Sequence, residues 1–161
     1  MRRSLAVLVL SVLAACGGKS PSECCDAADA ALKKGSFAEA QSRAEEGLAL
    51  GGADAATAWK LERIKLEALA GNGDLAGLLA GLTAAATNYP GKADDQLYAK
   101  LGTALADAGK LVEAIELVEA GKQAFPEKAK SFDGLVASIK KAAEKGGDNA
   151  AVERLRQLGY M

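Results

Sequence analysis

Residues 98–126 read YAKLGTALADAGKLVEAIELVEAGKQAFP, two apolar helix patterns on either side of a glycine. Leu97, Leu101 and Leu105 recur every four residues, which places them on one face of an α-helix. Gly109 interrupts this pattern, and a second one follows and ends before Pro126. The stretch therefore predicts two helices joined by a glycine turn.

The glycine turn recurs along the chain. Gly35, Gly73, Gly109 and Gly147 are 38, 36 and 38 residues apart. A nearly fixed period of this length is typical of repeat proteins. From Pro21 onward Ala, Leu, Lys and Glu dominate and β-branched residues are few, which favours helix throughout. We therefore expect an all-α domain over residues 21–159, with units near 21–54, 56–91, 93–127 and 129–159.

The third unit resembles a tetratricopeptide repeat (TPR). The resemblance rests on an aromatic residue, a Leu-Gly pair, a turn glycine, a small residue in the second helix and a closing proline. The residues concerned are Tyr98, Leu101, Gly102, Leu105, Gly109, Ala114, Gly121 and Pro126. The resemblance implies a TPR-like solenoid of about four helical hairpins. A helical bundle of another type is the alternative fold.

TPR proteins bind partners in a concave groove lined mainly by the first helix of each unit, so the resemblance implies such a groove here. It places eight residues near the groove: Asp29, Lys33, Lys60, Arg63, Glu67, Lys100, Thr103 and Lys141. These residues mix both charges and lack the asparagine-and-lysine clamp of some family members. The sequence therefore predicts no ligand class, and the alternative is that they form ordinary solvated helix faces.

The chain begins with Met1-Arg2-Arg3 and a short apolar run that ends in Leu13-Ala14-Ala15-Cys16. The run is well short of the roughly 20 residues that a membrane-spanning helix needs. Its end resembles the lipobox of bacterial lipoproteins, in which the cysteine is acylated. The resemblance implies a signal peptide over residues 1–15, a lipid on Cys16 and a short tether over 16–20. Ordinary secretion with a chance cysteine is the alternative.

The lipobox resemblance also implies a location in the bacterial cell envelope. Gly17 follows Cys16 where enteric lipoproteins retained in the inner membrane have aspartate, so we expect the outer membrane, facing the periplasm. The four residues up to Ser20 span about 14 Å at most. We therefore expect the domain to lie close to its membrane.

The composition argues against catalysis. The chain has no histidine, which excludes imidazole bases and removes the commonest metal ligand. We expect no enzymatic activity, no metal and no cofactor apart from the covalent lipid. Without residues 1–15 the chain has 18 basic and 21 acidic residues, a balance that does not favour nucleic-acid binding. We interpret Asp94-Asp95 as a helix-capping pair rather than a catalytic one.

Cys24 and Cys25 are adjacent. Their Cα atoms are about 3.8 Å apart, below the usual disulfide range, so a bond between them would be strained. We expect at least one thiol to pack as a small apolar core residue. An intermolecular disulfide and a redox-labile pair are the alternatives.

Local patterns predict two helix starts. Ser20 with Glu23, and Ser36 with Glu39, have the spacing of a capping box. Four glycines fall inside predicted helices: Gly77, Gly81, Gly102 and Gly121. Because glycine destabilises a helix, we expect close approach of neighbouring helices at these positions.

These features predict a lipid-anchored adaptor or scaffold that binds a protein partner in an envelope complex. A self-assembling structural lipoprotein is one alternative, because a short apolar C-terminal helix could join copies into a homo-oligomer: Val152, Leu155, Leu158 and Tyr160. A small-molecule-binding or enzymatic accessory protein is the other, and it would require a deep pocket.

Overall fold

The computed structural model describes residues 19–161, and this part of the chain is all-α, with no strand. Cys16, the signal peptide and most of the predicted tether lie outside the described residues. Residues 19–161 form eight α-helices: α1 (Pro21–Lys33), α2 (Phe37–Leu50), α3 (Ala55–Asn72), α4 (Leu75–Asn88), α5 (Asp95–Asp107), α6 (Leu111–Ala124), α7 (Asp133–Gly146) and α8 (Asn149–Gln157). A 3₁₀ segment, Pro126–Phe132, precedes α7.

The helices form four hairpins, and each hairpin turns at a glycine. Gly35, Gly73, Gly109 and Gly147 have φ values of 73°, 74°, 75° and 67°. Residues with a Cβ rarely adopt this left-handed conformation, whereas glycine does so at little cost. The turns therefore occur where the sequence predicts them.

One of the two predicted capping boxes is present. The Ser20 side chain accepts a hydrogen bond from the Glu23 backbone N–H, and the Glu23 carboxylate accepts one from the Ser20 N–H. At Ser36 the predicted helix start is correct, since α2 begins at Phe37, but the predicted capping box was wrong, because the Ser36 side chain makes no capping hydrogen bond. The Ser36 backbone N–H donates to the Ala31 carbonyl and closes α1 after the glycine turn, which leaves Ser36 at ψ 65° rather than in the extended conformation of a capping residue.

The third connection between hairpins is not a plain loop. The chain forms the 3₁₀ segment there and reaches α7 only at Asp133. Pro126 begins the segment and Phe132 ends it, fully buried. Burial of the Phe132 ring between the hairpins is a long-range contact that no local pattern indicates.

Helix α3 contributes to two apolar cores. The smaller core joins α1, α2 and α3 and is rich in alanine: Cys25, Ala28, Ala31, Ala40, Ala44, Leu61, Ile64 and Ala68. The larger core begins at Leu66 on α3 and extends to Leu155 on α8. Helix α1 contacts α3, α3 contacts α5, and α5 contacts α7. The first helices of the four hairpins therefore follow one another as neighbours.

Three of the four glycines for which the sequence predicts close approach lie where side chains from other elements approach the backbone; at the fourth, Gly77, the nearest atom belongs to Asp74, the capping residue of the same helix. A Cβ added to Gly121 would lie 2.6 Å from Cζ of Phe132, and one added to Gly81 would lie 2.7 Å from Leu66. At Gly102 the nearest atom would belong to Leu135, 2.8 Å away. All three distances are shorter than normal carbon contacts. The close approach that the sequence predicts is therefore present at these positions.

Candidate functional site

The eight predicted groove residues all lie on the first helices of the hairpins. Asp29 and Lys33 are on α1, and Lys141 is on α7. The other five are on the two middle helices, α3 and α5: Lys60, Arg63, Glu67, Lys100 and Thr103. We call the exposed side of these four helices the first-helix face.

Ion pairs connect neighbouring helices across the first-helix face. Lys100 Nζ lies 2.6 Å from Glu67 Oε1 and links α5 to α3, while Lys60 Nζ lies 4.0 Å from Asp26 Oδ1 and links α3 to α1. Arg63 also approaches Glu67, at 3.7 Å. These pairs neutralise most charges on the α1–α3–α5 part of the face. Asp26 is not among the residues predicted from the sequence, because only the packing of α1 on α3 brings it near Lys60.

Asp29 and Lys33 pair within α1. Lys33 Nζ donates to Asp29 Oδ2 at 2.5 Å, one helical turn away. This hydrogen bond lowers the pKa of Asp29 and raises the pKa of Lys33. Both groups therefore stay charged near neutral pH and already have a partner.

A groove of about 370 Å³ opens between α5 and α7. Small side chains and hydroxyl groups line most of it: Ala99, Thr103, Ala106, Asp107, Ser131, Gly134, Leu135, Ser138 and Ala142. Thr103 and Ser138 donate their hydroxyl protons to carbonyls of their own helices, Ala99 O at 2.9 Å and Gly134 O at 3.0 Å. The hydroxyl oxygens remain available as acceptors, and the methyl groups give the walls an apolar character.

The charges at this groove differ from those on the rest of the first-helix face. Asp107 is the single carboxylate among the lining residues. Lys141 is exposed next to Ala142 and makes no ion pair within the described part of the chain, and the same is true of Lys145. The groove therefore has walls of small apolar and hydroxyl-bearing side chains with one carboxylate, and the unpaired Lys141 lies beside it rather than in its lining.

Comparison with known proteins assigns no family. The chain matches no family model, and no curated protein or solved structure matches it.

Two further negative findings apply to residues 19–161. No group of three or more His, Cys, Asp or Glu side chains in this range is placed to hold a metal ion. No helix among these residues is long and apolar enough to cross a membrane.

Both described cysteines are free thiols and pack as small core residues. Cys24 is 1% exposed and Cys25 is 3% exposed. The Cβ of Cys24 lies so close to Gly47 that a Cβ on the glycine would be 2.9 Å away. Burial raises the pKa of Cys25, which disfavours the reactive thiolate. A disulfide with another molecule or redox chemistry at this pair would require α1 to separate from α2.

Asp94 and Asp95 have separate structural partners. Asp94 accepts a hydrogen bond from the Leu97 N–H at 2.9 Å and caps α5, as the sequence predicts. Asp95 is buried, and Lys128 of the 3₁₀ segment donates to it at 2.6 Å. That hydrogen bond lowers the pKa of Asp95. This long-range pair was missed, because its two members are brought together only by the packing of the 3₁₀ segment against α5.

A second buried carboxylate was also missed. Glu62 on α3 is 7% exposed, and Lys65 Nζ lies 2.6 Å from its Oε1. This contact between Lys65 Nζ and Glu62 Oε1 lacks the geometry of a hydrogen bond, and Glu62 Oε1 has no other hydrogen-bond partner. The charge of Glu62 contributes to the raised pKa of Tyr89, after the effect of burial. Glu62 does not line any of the four cavities between the described helices, so we assign it no binding role.

Polar side chains cover both ends of the row of hairpins. At the N-terminal end Lys19 and Arg43 both pair with Glu46, at 3.1 Å and 3.2 Å. At the C-terminal end the Tyr160 hydroxyl donates to Glu119 and accepts a hydrogen bond from Lys122 at 2.9 Å. The apolar residues of the C-terminal helix pack against the larger core: Leu155, Val152, Leu158 and Tyr160. They do not form a free apolar face at this end.

Proposed function

We propose that this protein is a lipid-anchored adaptor of the bacterial cell envelope, a TPR-like solenoid that holds a protein partner and carries out no chemistry. The lipobox resemblance at Cys16 supports the anchor. The four glycine-turned hairpins, with neighbouring first helices, support the repeat architecture. The proposed partner is an envelope protein that lies near the same membrane.

Equivalent contacts in two units support the TPR-like interpretation. Tyr98 packs beside Gly121 in the third hairpin, and Cys24 packs beside Gly47 in the first. Each pair lies at the same sequence distances from its own turn glycine. Units of one structural repeat are expected to share contacts at equivalent positions.

The observation that carries the binding proposal is the groove between α5 and α7. Elsewhere on the first-helix face, acids and bases of the chain neutralise one another. At this groove small apolar and hydroxyl-bearing side chains form the walls, Asp107 is the one lining carboxylate, and Lys141, next to the lining residue Ala142, has no ion pair in the described region. A peptide segment with small side chains would fit between these walls, and an acidic group outside the groove would meet Lys141 rather than Asp107.

The covered ends favour an adaptor over a structural protein that assembles end to end. Ion pairs occupy the N-terminal end, and Tyr160 closes the C-terminal end. Among the described residues the exposed large apolar side chains are Leu50 and Met161. Neither end therefore offers the apolar surface that a stable stack of copies would need.

Photo-cross-linking in the bacterium that carries the protein tests this function. A photoreactive amino acid at Ala142 lies in the groove, and one at Gln123 on α6 is a matched exposed control. We expect a partner to be captured from position 142 and not from position 123. The same capture should be lost in a Cys16→Ala protein, which cannot be acylated. Recovery of only the protein's own chain from position 142 would overturn the adaptor function and favour self-assembly.

A further inference from the structure

The hairpins have two distinct edges. The four glycine turns lie at one edge, which we call the turn edge. There Phe37 at the start of α2 covers Gly71, and Lys110 at the start of α6 covers Gly73. The opposite edge, which we call the loop edge, holds the starts of the first helices, the ends of the second helices and the connections between hairpins. Helices of 13 or 14 residues separate the two edges by about 20 Å.

Every hairpin places an apolar residue at the loop edge. Leu50 ends α2 and is 51% exposed, and Met161 follows α8 and is 44% exposed. The middle hairpins contribute aromatic-proline pairs directly after α4 and α6: Tyr89-Pro90 and Phe125-Pro126. Both prolines are exposed, and the two aromatic rings are half-buried against Trp59 and Tyr98. The apolar positions therefore recur along the whole edge.

The N-terminal tether leaves the domain at this same edge. Lys19, the first described residue, pairs with Glu46 near the end of α2. From Cys16 to Lys19 the chain can span about 11 Å at most. This reach is roughly half the distance between the two edges. A lipid on Cys16 would therefore keep the loop edge near the bilayer and would not let the whole domain turn over freely.

The outer side of the first hairpin also lies within reach of the tether, because Lys19 pairs with Glu46 there. That side is charged, because Lys19, Glu39, Arg43 and Glu46 form its ion-pair network. Placing it against lipid would remove these ion pairs from water at a high cost. The loop edge carries apolar and aromatic residues instead, which are favourable at a membrane interface.

We propose that the loop edge lies on the bilayer surface. Leu50, Met161 and the two aromatic-proline pairs would then contact lipid headgroups. The turn edge then points away from the membrane, and the long axes of the helices are perpendicular to the bilayer surface. The groove between α5 and α7 would face sideways, accessible to a partner that stands on the same membrane. This inference rests on the proposed anchor at Cys16.

The contact would be apolar more than electrostatic. Lys92 and Lys130 are exposed on the loop edge, but Asp54, Asp94 and Glu127 lie there as well. Attraction to anionic lipid is therefore weak, and the tether and the apolar row hold the edge in place.

Depth measurements on the full-length lipidated protein test the orientation. Four variants, each with one added cysteine, would carry a fluorophore, two at the loop edge (Leu50→Cys and Met161→Cys) and two exposed controls at the turn edge (Lys34→Cys and Ala108→Cys). The buried Cys24 and Cys25 stay in place, and labelling of the parent protein measures their background. The proteins would be reconstituted into vesicles of phosphatidylethanolamine and phosphatidylglycerol that contain a lipid with a nitroxide quencher at the headgroup.

We expect quenching at the two loop-edge sites to be several-fold stronger than at the two turn-edge sites. Equal quenching at both edges, or stronger quenching at the turn edge, would overturn the orientation. Intact mass of the same preparations reports the lipid on Cys16. Absence of the lipid would overturn the anchor and the orientation together, whereas a lipidated protein with the wrong quenching pattern would overturn the orientation alone.

Discussion

Gly121 lies directly against the ring of Phe132, so close that a Cβ on the glycine would be 2.6 Å from Cζ. The contact joins the third hairpin to the 3₁₀ segment that leads into the fourth. It also explains why a glycine stays in the middle of α6 despite its poor helix propensity.

Gly121→Ala should therefore destabilise the protein. Overpacking costs about 1–3 kcal/mol, which exceeds the gain in helix propensity of up to about 1 kcal/mol. Chemical unfolding followed by circular dichroism would measure the difference. Gly134→Ala is the matched control, because a Cβ at this helical glycine would meet no atom within 4 Å. We expect the control to be neutral or slightly stabilising, and a stable Gly121→Ala protein would contradict the packing.

Tyr160→Phe should loosen the C-terminal end. The hydroxyl group bonds to both Glu119 and Lys122, so its removal should cost about 1 kcal/mol. Thermal unfolding would measure the loss. Protection of the α8 amides in hydrogen exchange should fall more than protection of the α1 amides, and an equal change in both would argue against a local role.

Stability should also fall at alkaline pH. Burial, and then the hydrogen bond to Glu119, raise the pKa of Tyr160 above its usual value of 10.0. A raised pKa means that the protonated group stabilises the fold below pH 10 and that this contribution is lost as the pH rises through the folded-state value. The free energy of unfolding measured between pH 8 and pH 11 should therefore decline, and the decline should be smaller in Tyr160→Phe.

Lys128→Gln should destabilise the connection between the third and fourth hairpins, because it leaves the buried Asp95 carboxylate without its cation. Lys130→Gln is the matched control, since Lys130 is exposed and has no ion pair in the described structure. The ion pair lowers the pKa of Asp95 below 3.8, so its contribution is present above that pH and is lost as the pH falls through the lowered value. An NMR titration should find a higher pKa for Asp95 in Lys128→Gln and an unchanged one in Lys130→Gln.

Ser138→Trp should block the groove between α5 and α7. The indole is large enough to fill much of a cavity of about 370 Å³ between small side chains. We expect capture of the proposed envelope partner to fall several-fold in affinity purification. Gln123→Trp adds the same side chain outside the groove and should leave capture intact. Similar circular dichroism of both variants would exclude misfolding, and unchanged capture by Ser138→Trp would show that the partner binds elsewhere.

Cys24 and Cys25 should resist thiol reagents while the domain is folded. Both are nearly inaccessible, and burial disfavours the Cys25 thiolate. Labelling followed by mass spectrometry should report two reactive thiols in urea and almost none in buffer. Fast labelling of the folded protein would instead support a redox role for the pair.

The hairpins could be predicted because their signals are local. A turn glycine, an apolar repeat every three or four residues and the Ser20 capping box act within a few residues of chain, so they are legible in the sequence. Ser36 shows the limit of such signals. Its capping pattern is present, but its backbone N–H is used to close the preceding helix. The geometry of that turn overrides the pattern.

The candidate site was predictable only in outline. Local sequence patterns were enough to predict a helical domain and its four glycine turns, and the TPR resemblance placed eight residues on the first helices. The packing of the helices decides which of these residues neutralise one another, places Phe132 beside Gly121 and opens a groove between α5 and α7. The difference lies in how far apart in sequence the interacting residues are. Turns and helices depend on neighbours along the chain. Ion pairs such as Lys100 with Glu67, and cavities between helices, depend on residues that only packing brings together.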